Sequence, residues 1–146
     1  MTSANPVGVI RCIQEAMANS EILPQQIDLI SGHLTATNAD RQEIQNWSQA
    51  LNRTGDDFPL TNSLKSMIGH CLSAAGSIES VASILQIAHQ FVHPNINLED
   101  PNPEIKNMVS MDRLPVKMIK KEINVVVKAN FGFGDVNSCL IFSKFN

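Results

Sequence analysis

Lys65, His70 and Glu79 are three titratable side chains in NSLKSMIGHCLSAAGSIESV (residues 62–81), a stretch otherwise built of small, apolar and neutral residues. A carboxylate in such company must be paired or neutral, because an isolated buried charge is costly. Lys65 is the candidate partner, and His70 lies between them with a ring that exchanges protons near neutral pH. Proton-transfer chemistry at an active site would use this set; a purely structural lysine–glutamate pair would satisfy the same pattern.

A second histidine, His33, stands in GHLTATNAD directly after a strand-like run. In an extended segment alternate residues share a side, so Thr35 and Thr37 are expected on one wall with it. A lone histidine at a strand end is more often structural. Further on, FGFGDVN sets Gly132 and Gly134 around Phe133, where glycines permit a tight turn and can aim N–H groups at an anion. It is not a dinucleotide fingerprint, since it opens no helix and Asn137 takes the third glycine position; a hairpin turn accounts for it. None of the cysteines shows a nucleophile setting: Cys71 and Cys139 read as small core residues, and Cys12 on the first helix has no cationic neighbour except Arg11. The His89/His93 pair straddles a helix end beside Pro94 and makes a poor metal site, so neither metal nor cofactor is expected.

These groups need elements to hold them. Val7, Ile10, Ile13 and Met17 recur at three and four residues, predicting an amphipathic helix over 5–20. Pro24 breaks the chain before a short strand, Ile27–Gly32. Thr37 or Asn38 can cap a second helix running to Leu51, whose polar face of Asp40, Arg41 and Glu43 is expected at the surface. Gly55, Asp56, Asp57 and Pro59 form a turn before Leu60. Gly69 places Lys65 ahead of a third helix, Ser73–Phe91, which is apolar nearly all round and therefore expected to be buried. VHPNINLEDPNPEI reads as a loop. INVVVKANFGFGDVNSCLIFSKF reads as two strands joined by a turn. The alternation predicts a layered α/β domain with a mixed sheet.

At 146 residues the chain is one domain by length. A formal charge of −3 gives no electrostatic footprint for nucleic acid. No apolar run reaches the ~18 residues of a membrane span, so no membrane partner is expected. Three unpaired cysteines suit a reducing, cytoplasmic location.

In chain order these pieces resemble the C-terminal half of a β-ketoacyl-acyl carrier protein synthase, a condensing enzyme of the thiolase-like superfamily. GHLTATNAD resembles the family's first histidine motif, and LKSMIGHCLSAAGSIES its lysine–histidine–glutamate motif at matching spacing. INLEDPNPE resembles the proline-rich segment that follows, NFGFGDVNSCLIF the terminal glycine–phenylalanine loop and last strand, and MTSANP the stretch before the first histidine. The resemblance covers almost the whole chain. It implies an α/β fold that is one half of a layered αβαβα architecture, with a mixed β-sheet and a buried central helix.

It also implies a decarboxylative Claisen condensation of an acyl thioester with malonyl-acyl carrier protein, in fatty acid or polyketide biosynthesis. His33 and His70 would donate to the thioester oxygen of the malonyl group, with Lys65 organising His70 and Glu79 balancing its charge. Thr35 and Thr37 would bind the pantetheine arm. The Phe133 N–H would serve the oxyanion hole and its ring a gate, held by Gly132 and Gly134. The implied partners are acyl carrier protein, a missing N-terminal half carrying the acyl-accepting cysteine, and a homo- or heterodimeric mate. FSKFN resembles the finish of stand-alone synthases. The isolated chain is expected to be inactive and to expose a large apolar surface. The alternative is a noncatalytic, chain-length-factor-like subunit of a synthase heterodimer. The sequence departs from the family at Leu34 and Asp135, where glycine is usual, and at Asn130, where serine is common, which puts the gating of the last loop in question.

Overall fold

The structure, a computed structural model, describes residues 5–145; of MTSANP only Asn5 and Pro6 fall within it. Helix α1 spans Pro6–Ser20. The Asn5 side chain accepts from the Val7 N–H at 3.1 Å, and Pro6 sits in the first turn, where its missing donor costs nothing. Val9, Ile13 and Met17 form the buried stripe. Val7, expected on that stripe, is 73% exposed, because the inward row runs in steps of four from Val9.

Strand β1 (Leu29–Ser31), helix α2 (Ala39–Leu51), strand β2 (Leu60–Asn62), short helix α3 (Lys65–Ile68) and helix α4 (Ala75–His89) follow. Lys65 thus opens a turn of its own ahead of the long helix. Strands β3 (Phe91–Val92) and β4 (Ile119–Lys120) flank helix α5 (Pro103–Met108), and the chain closes with β5 (Val125–Gly132) and β6 (Val136–Ser143). The stretch after α4, read as a loop, contains β3 and α5: Asn102 caps α5 through the Glu104 N–H at 2.8 Å, with Pro103 at its first position.

The main sheet has the order β2-β1-β5-β6. β1 runs parallel to β2 and β5, and β5 antiparallel to β6, giving the expected mixed sheet. β3 and β4 pair antiparallel in a separate ribbon. Side chains alternate across the sheet. Ile30, Val125, Val127 and Ala129 join Val9, Ile13 and Trp47 in the core beneath α1 and α2. Leu29, Leu60 and Val126 meet Ile87 of α4 on the other face.

Within this chain α4 is inverted relative to a surface helix. Its buried residues include Glu79, Ser83 and Gln86, whereas Ile78, Val81, Ile84 and Leu85 are exposed on the opposite side. A helix that hides its polar groups and presents its apolar ones is built for a second apolar neighbour.

Candidate active site

The chain leaves β1 at Ser31 and delivers His33 to the end of the sheet. What fixes it there is Glu43, whose Oε1 accepts from the His33 N–H at 2.7 Å and from Trp47 Nε1 at 3.3 Å. Glu43 was expected at the surface with Asp40 and Arg41. It is instead buried, because a backbone amide leaving the strand and an indole N–H in the core both need an acceptor. Burial pushes its carboxyl up to about 7, against the lowering effect of those two hydrogen bonds. A Cβ on Gly32 would come within 2.9 Å of Glu43 Oε1, so the close approach depends on glycine.

Thr35 and Thr37 do not line up by strand alternation. The chain turns at Ala36, with φ of 59°, and the Asp40 carboxylate accepts from the Thr35 and Ala36 N–H groups at 2.9 and 3.0 Å. The turn brings the two hydroxyls together at 3.1 Å. Both threonines line an open cleft of about 560 Å³ that also includes Ser63, Lys65 and His70. Asn95, from the proline-rich segment, closes the far wall and accepts from the Ser63 N–H at 2.9 Å.

His70 follows Gly69, whose φ of 75° turns the chain out of α3. The Leu72 N–H donates to His70 Nδ1 at 3.0 Å, which leaves Nε2 as the protonated nitrogen of the neutral ring. The rings of His33 and His70 meet edge to face, centroids 5.2 Å apart at 80°. Asn130 Nδ2 reaches His33 Nδ1 at 3.4 Å and donates to Glu79 Oε2 at 3.1 Å. With an amide N–H on Nδ1, the neutral His33 ring also carries its proton on Nε2. Burial lowers His33 to about 4; the charges of Lys65, His70 and Lys128 act in the same direction and Glu79 opposes them.

Glu79 is buried between two lysines. Lys65 Nζ bonds Oε1, and Lys128 Nζ lies 2.7 Å from Oε2. Burial pushes the Glu79 carboxyl up, but hydrogen bonds and charge from Lys128 and Lys65 outweigh it and hold the group below the usual carboxylate range. The pairing read between Lys65 and Glu79 is thus half of a lysine–carboxylate–lysine set. Lys128 was missed, as was Asn130's bridge. The available signal was a lysine inside the apolar run NVVVKA, two residues before the asparagine on the same strand face.

Phe133 lies in a tight 133–135 turn between β5 and β6, 80% exposed. The aromatic ring beside His33 is Phe131, at 6.3 Å, which also packs on Trp47 at 6.4 Å. Gly134 takes φ of 75° in the turn, and Asp135, where glycine is usual, takes φ of 63°. Of the cysteines, burial pushes Cys139 up to about 12 and raises Cys12; Cys71 Sγ turns back to the Gly69 carbonyl at 3.9 Å. Among the described residues no three His, Cys, Asp or Glu side chains gather as metal ligands. No helix there is long and apolar enough to cross a membrane.

The same layers recur in solved ketosynthases. The ishigamide ketosynthase/chain length factor superposes with a TM-score of 0.90 at 28% identity, over 99% of this chain and 34% of that one. A type II PKS ketosynthase, solved with its acyl-carrier protein and bound to the hexaketide, gives 0.81 at 31% identity over 100% and 35%. The fold is therefore thiolase-like. In sequence, 3-oxoacyl-[acyl-carrier-protein] synthase I, chloroplastic, of Hordeum vulgare is 36% identical over 97% of this chain and 30% of its own length. The family described as Beta-ketoacyl synthase, C-terminal domain, matches residues 1–99. The chain belongs to the β-ketoacyl synthase family, and it spans about a third of the length of these relatives.

Proposed function

We propose that this chain is the histidine-bearing half of a β-ketoacyl-acyl carrier protein synthase that joins an acyl thioester to malonyl-acyl carrier protein with loss of carbon dioxide. One observation carries the reading: His33 and His70 converge with each Nδ1 facing an amide N–H, which turns two Nε2–H groups into donors. When the malonyl carboxylate leaves as carbon dioxide, its C–C bonding pair moves onto the thioester oxygen. Two fixed donors there stabilise the enolate, each worth about 3 kcal/mol in comparable sites. The carbanion then attacks the acyl carbon, and collapse of the tetrahedral adduct expels the cysteine thiolate.

In this reading Thr35 and Thr37 bind the pantetheine arm along the cleft. Lys65 and Glu79 support His70. Gly132 and Gly134 shape the turn from which the Phe133 N–H serves the oxyanion hole and its ring gates the entrance. The acyl-accepting cysteine comes from polypeptide outside these residues, and the apolar face of α4 packs against that remainder. Without it the chain is inactive. A cytoplasmic setting, a dimeric mate and acyl carrier protein as partner belong to the same reading; the neighbour solved with its acyl-carrier protein supports the last.

The test is condensation by the complete protein supplied with an acyl thioester and malonyl-acyl carrier protein. A 3-oxoacyl product is expected; no product and no carbon dioxide would contradict it. The likeness to a ketosynthase/chain length factor favours a second reading, a noncatalytic partner subunit. That reading predicts turnover only when a second synthase chain supplies the cysteine.

A further inference from the structure

Lys128 is a buried charge that the proposed reaction does not use. It lies on β5 between Val126 and Asn130, on the sheet face that meets α4, and is 1% exposed. Nothing in packing calls for a lysine on that face, where Val126 is a core residue. Burying an ammonium group is costly unless it is paired and its donors are satisfied. Lys128 is paired, and two of its three donors have acceptors: Nζ donates to the Ala129 carbonyl and lies 2.7 Å from Glu79 Oε2. The same Oε2 accepts from Asn130 Nδ2 at 3.1 Å, and that amide reaches His33 Nδ1 at 3.4 Å. Lys65 holds the other oxygen. A continuous chain therefore runs Lys128, Glu79, Asn130, His33.

We propose that Lys128 is a positioning residue for His33: by clamping Oε2 of Glu79 it fixes the carboxylate in the one orientation from which Asn130 bridges to the histidine ring. Lys65 alone, bonded to Oε1, leaves Oε2 free to rotate away from the asparagine. The titratable groups around Lys128 are Glu79 on α4, Lys65 on α3, Glu43 on α2, His33 after β1 and Cys139 on β6. Burial lowers the Lys128 ammonium and Glu79 opposes that, while its positive charge is one of the influences that lower His33.

The activity readout rests on the condensing reading; the titration readout does not. Lys128→Met keeps most of the side-chain stem and removes the charge. In the complete protein, malonyl decarboxylation is expected to fall about tenfold in kcat with KM within about twofold, and the His33 titration, followed by nitrogen-15 NMR, is expected to move upward. In a Glu79→Gln background Lys128→Met is expected to cost less than about threefold, because the clamp has nothing to hold. Unchanged rate and unchanged His33 titration in Lys128→Met would overturn the proposal, as would losses that multiply in the double variant. If the unaltered protein releases no carbon dioxide, the condensing reading fails, and the positioning role is judged by Lys128→Met in an Asn130→Leu background: a His33 shift smaller than that of Lys128→Met alone upholds it, and an equal shift, the loss of charge alone, overturns it. If Lys128→Met does not fold, Asn130→Leu cuts the same bridge and must raise the His33 titration; no shift there overturns the proposal.

Discussion

The imidazoles of His33 and His70 meet edge to face at 5.2 Å although they lie thirty-seven positions apart in the chain. One is hung from Glu43 on α2 and the other from the turn after α3. Each ring keeps Nδ1 occupied by an amide N–H, so each neutral imidazole carries its donor proton on Nε2.

The depressed His33 value gives a pH prediction. A base whose folded value is lowered to about 4 stays neutral well below the ordinary histidine range. Any stability it contributes is complete above about 6.5 and is lost as pH falls through about 4. Malonyl decarboxylation between pH 8 and pH 5 should therefore show no loss assignable to His33. A rate falling in step with protonation of His33 near pH 6.5, tracked by NMR, would contradict this.

Glu43 acts with the opposite sign. Its carboxyl is raised to about 7 by burial, so its contribution is fully present below its unfolded value and is lost as pH rises through about 7. The whole effect is on the order of 3 kcal/mol. Glu43→Gln keeps an acceptor for the His33 N–H and Trp47 Nε1 without the charge. Denaturant melts should show the unaltered protein losing stability between pH 5 and pH 8, and Glu43→Gln losing much less.

Among the described residues Glu79 is the sole carboxylate bonded to two buried lysines. Glu79→Gln leaves both ammonium groups without a counter-charge, and breaking such a buried set typically costs about 3–5 kcal/mol. Equilibrium unfolding of the complete protein should show a loss of that order. A change under about 1 kcal/mol would mean that the lysines find other partners.

The last turn is pinned to α1. A Cβ on Gly8 would lie 2.9 Å from Asp135 Oδ1 and 3.2 Å from Asn137 Nδ2, and Asn137 Nδ2 already donates to Asp135 Oδ1 at 2.9 Å. Gly8→Ala alone should be close to neutral, since the helix gain of about 1 kcal/mol is offset by displacing that carboxylate. In an Asp135→Gly background, which also relieves the positive φ, the same change should stabilise by about 1 kcal/mol. Additive effects in thermal melts would show that the loop and the helix are independent.

Much of this was legible in the sequence, and the failures have physical causes. The 3.6-residue rhythm marked α1 and α2, and the glycine-flanked Phe133 marked the β5–β6 hairpin. Lys65, His70 and Glu79 were legible because their neighbours are so small and apolar. Glu43 was not, because an acid beside Asp40 and Arg41 reads as a solvated helix face; only the need of Trp47 Nε1 for an acceptor one turn away hinted otherwise. Lys128 was missed since a lysine within a strand ordinarily reaches solvent at an edge. β3 and β4, at two residues each, are too short to show any period. Nor does the apolar content of α4 reveal that Glu79, Ser83 and Gln86 face inward; that is set by what Lys65, Lys128 and Asn62 need to bond.

The paired-donor account stands or falls on carbon dioxide release from malonyl-acyl carrier protein by the complete protein, measured for the unaltered form and for His33→Ala and His70→Ala. Removing either donor should lower kcat by about 10²–10³, with thermal melts showing the fold retained. Release at an unchanged rate from either folded variant would contradict the claim that the two rings act together on the developing enolate.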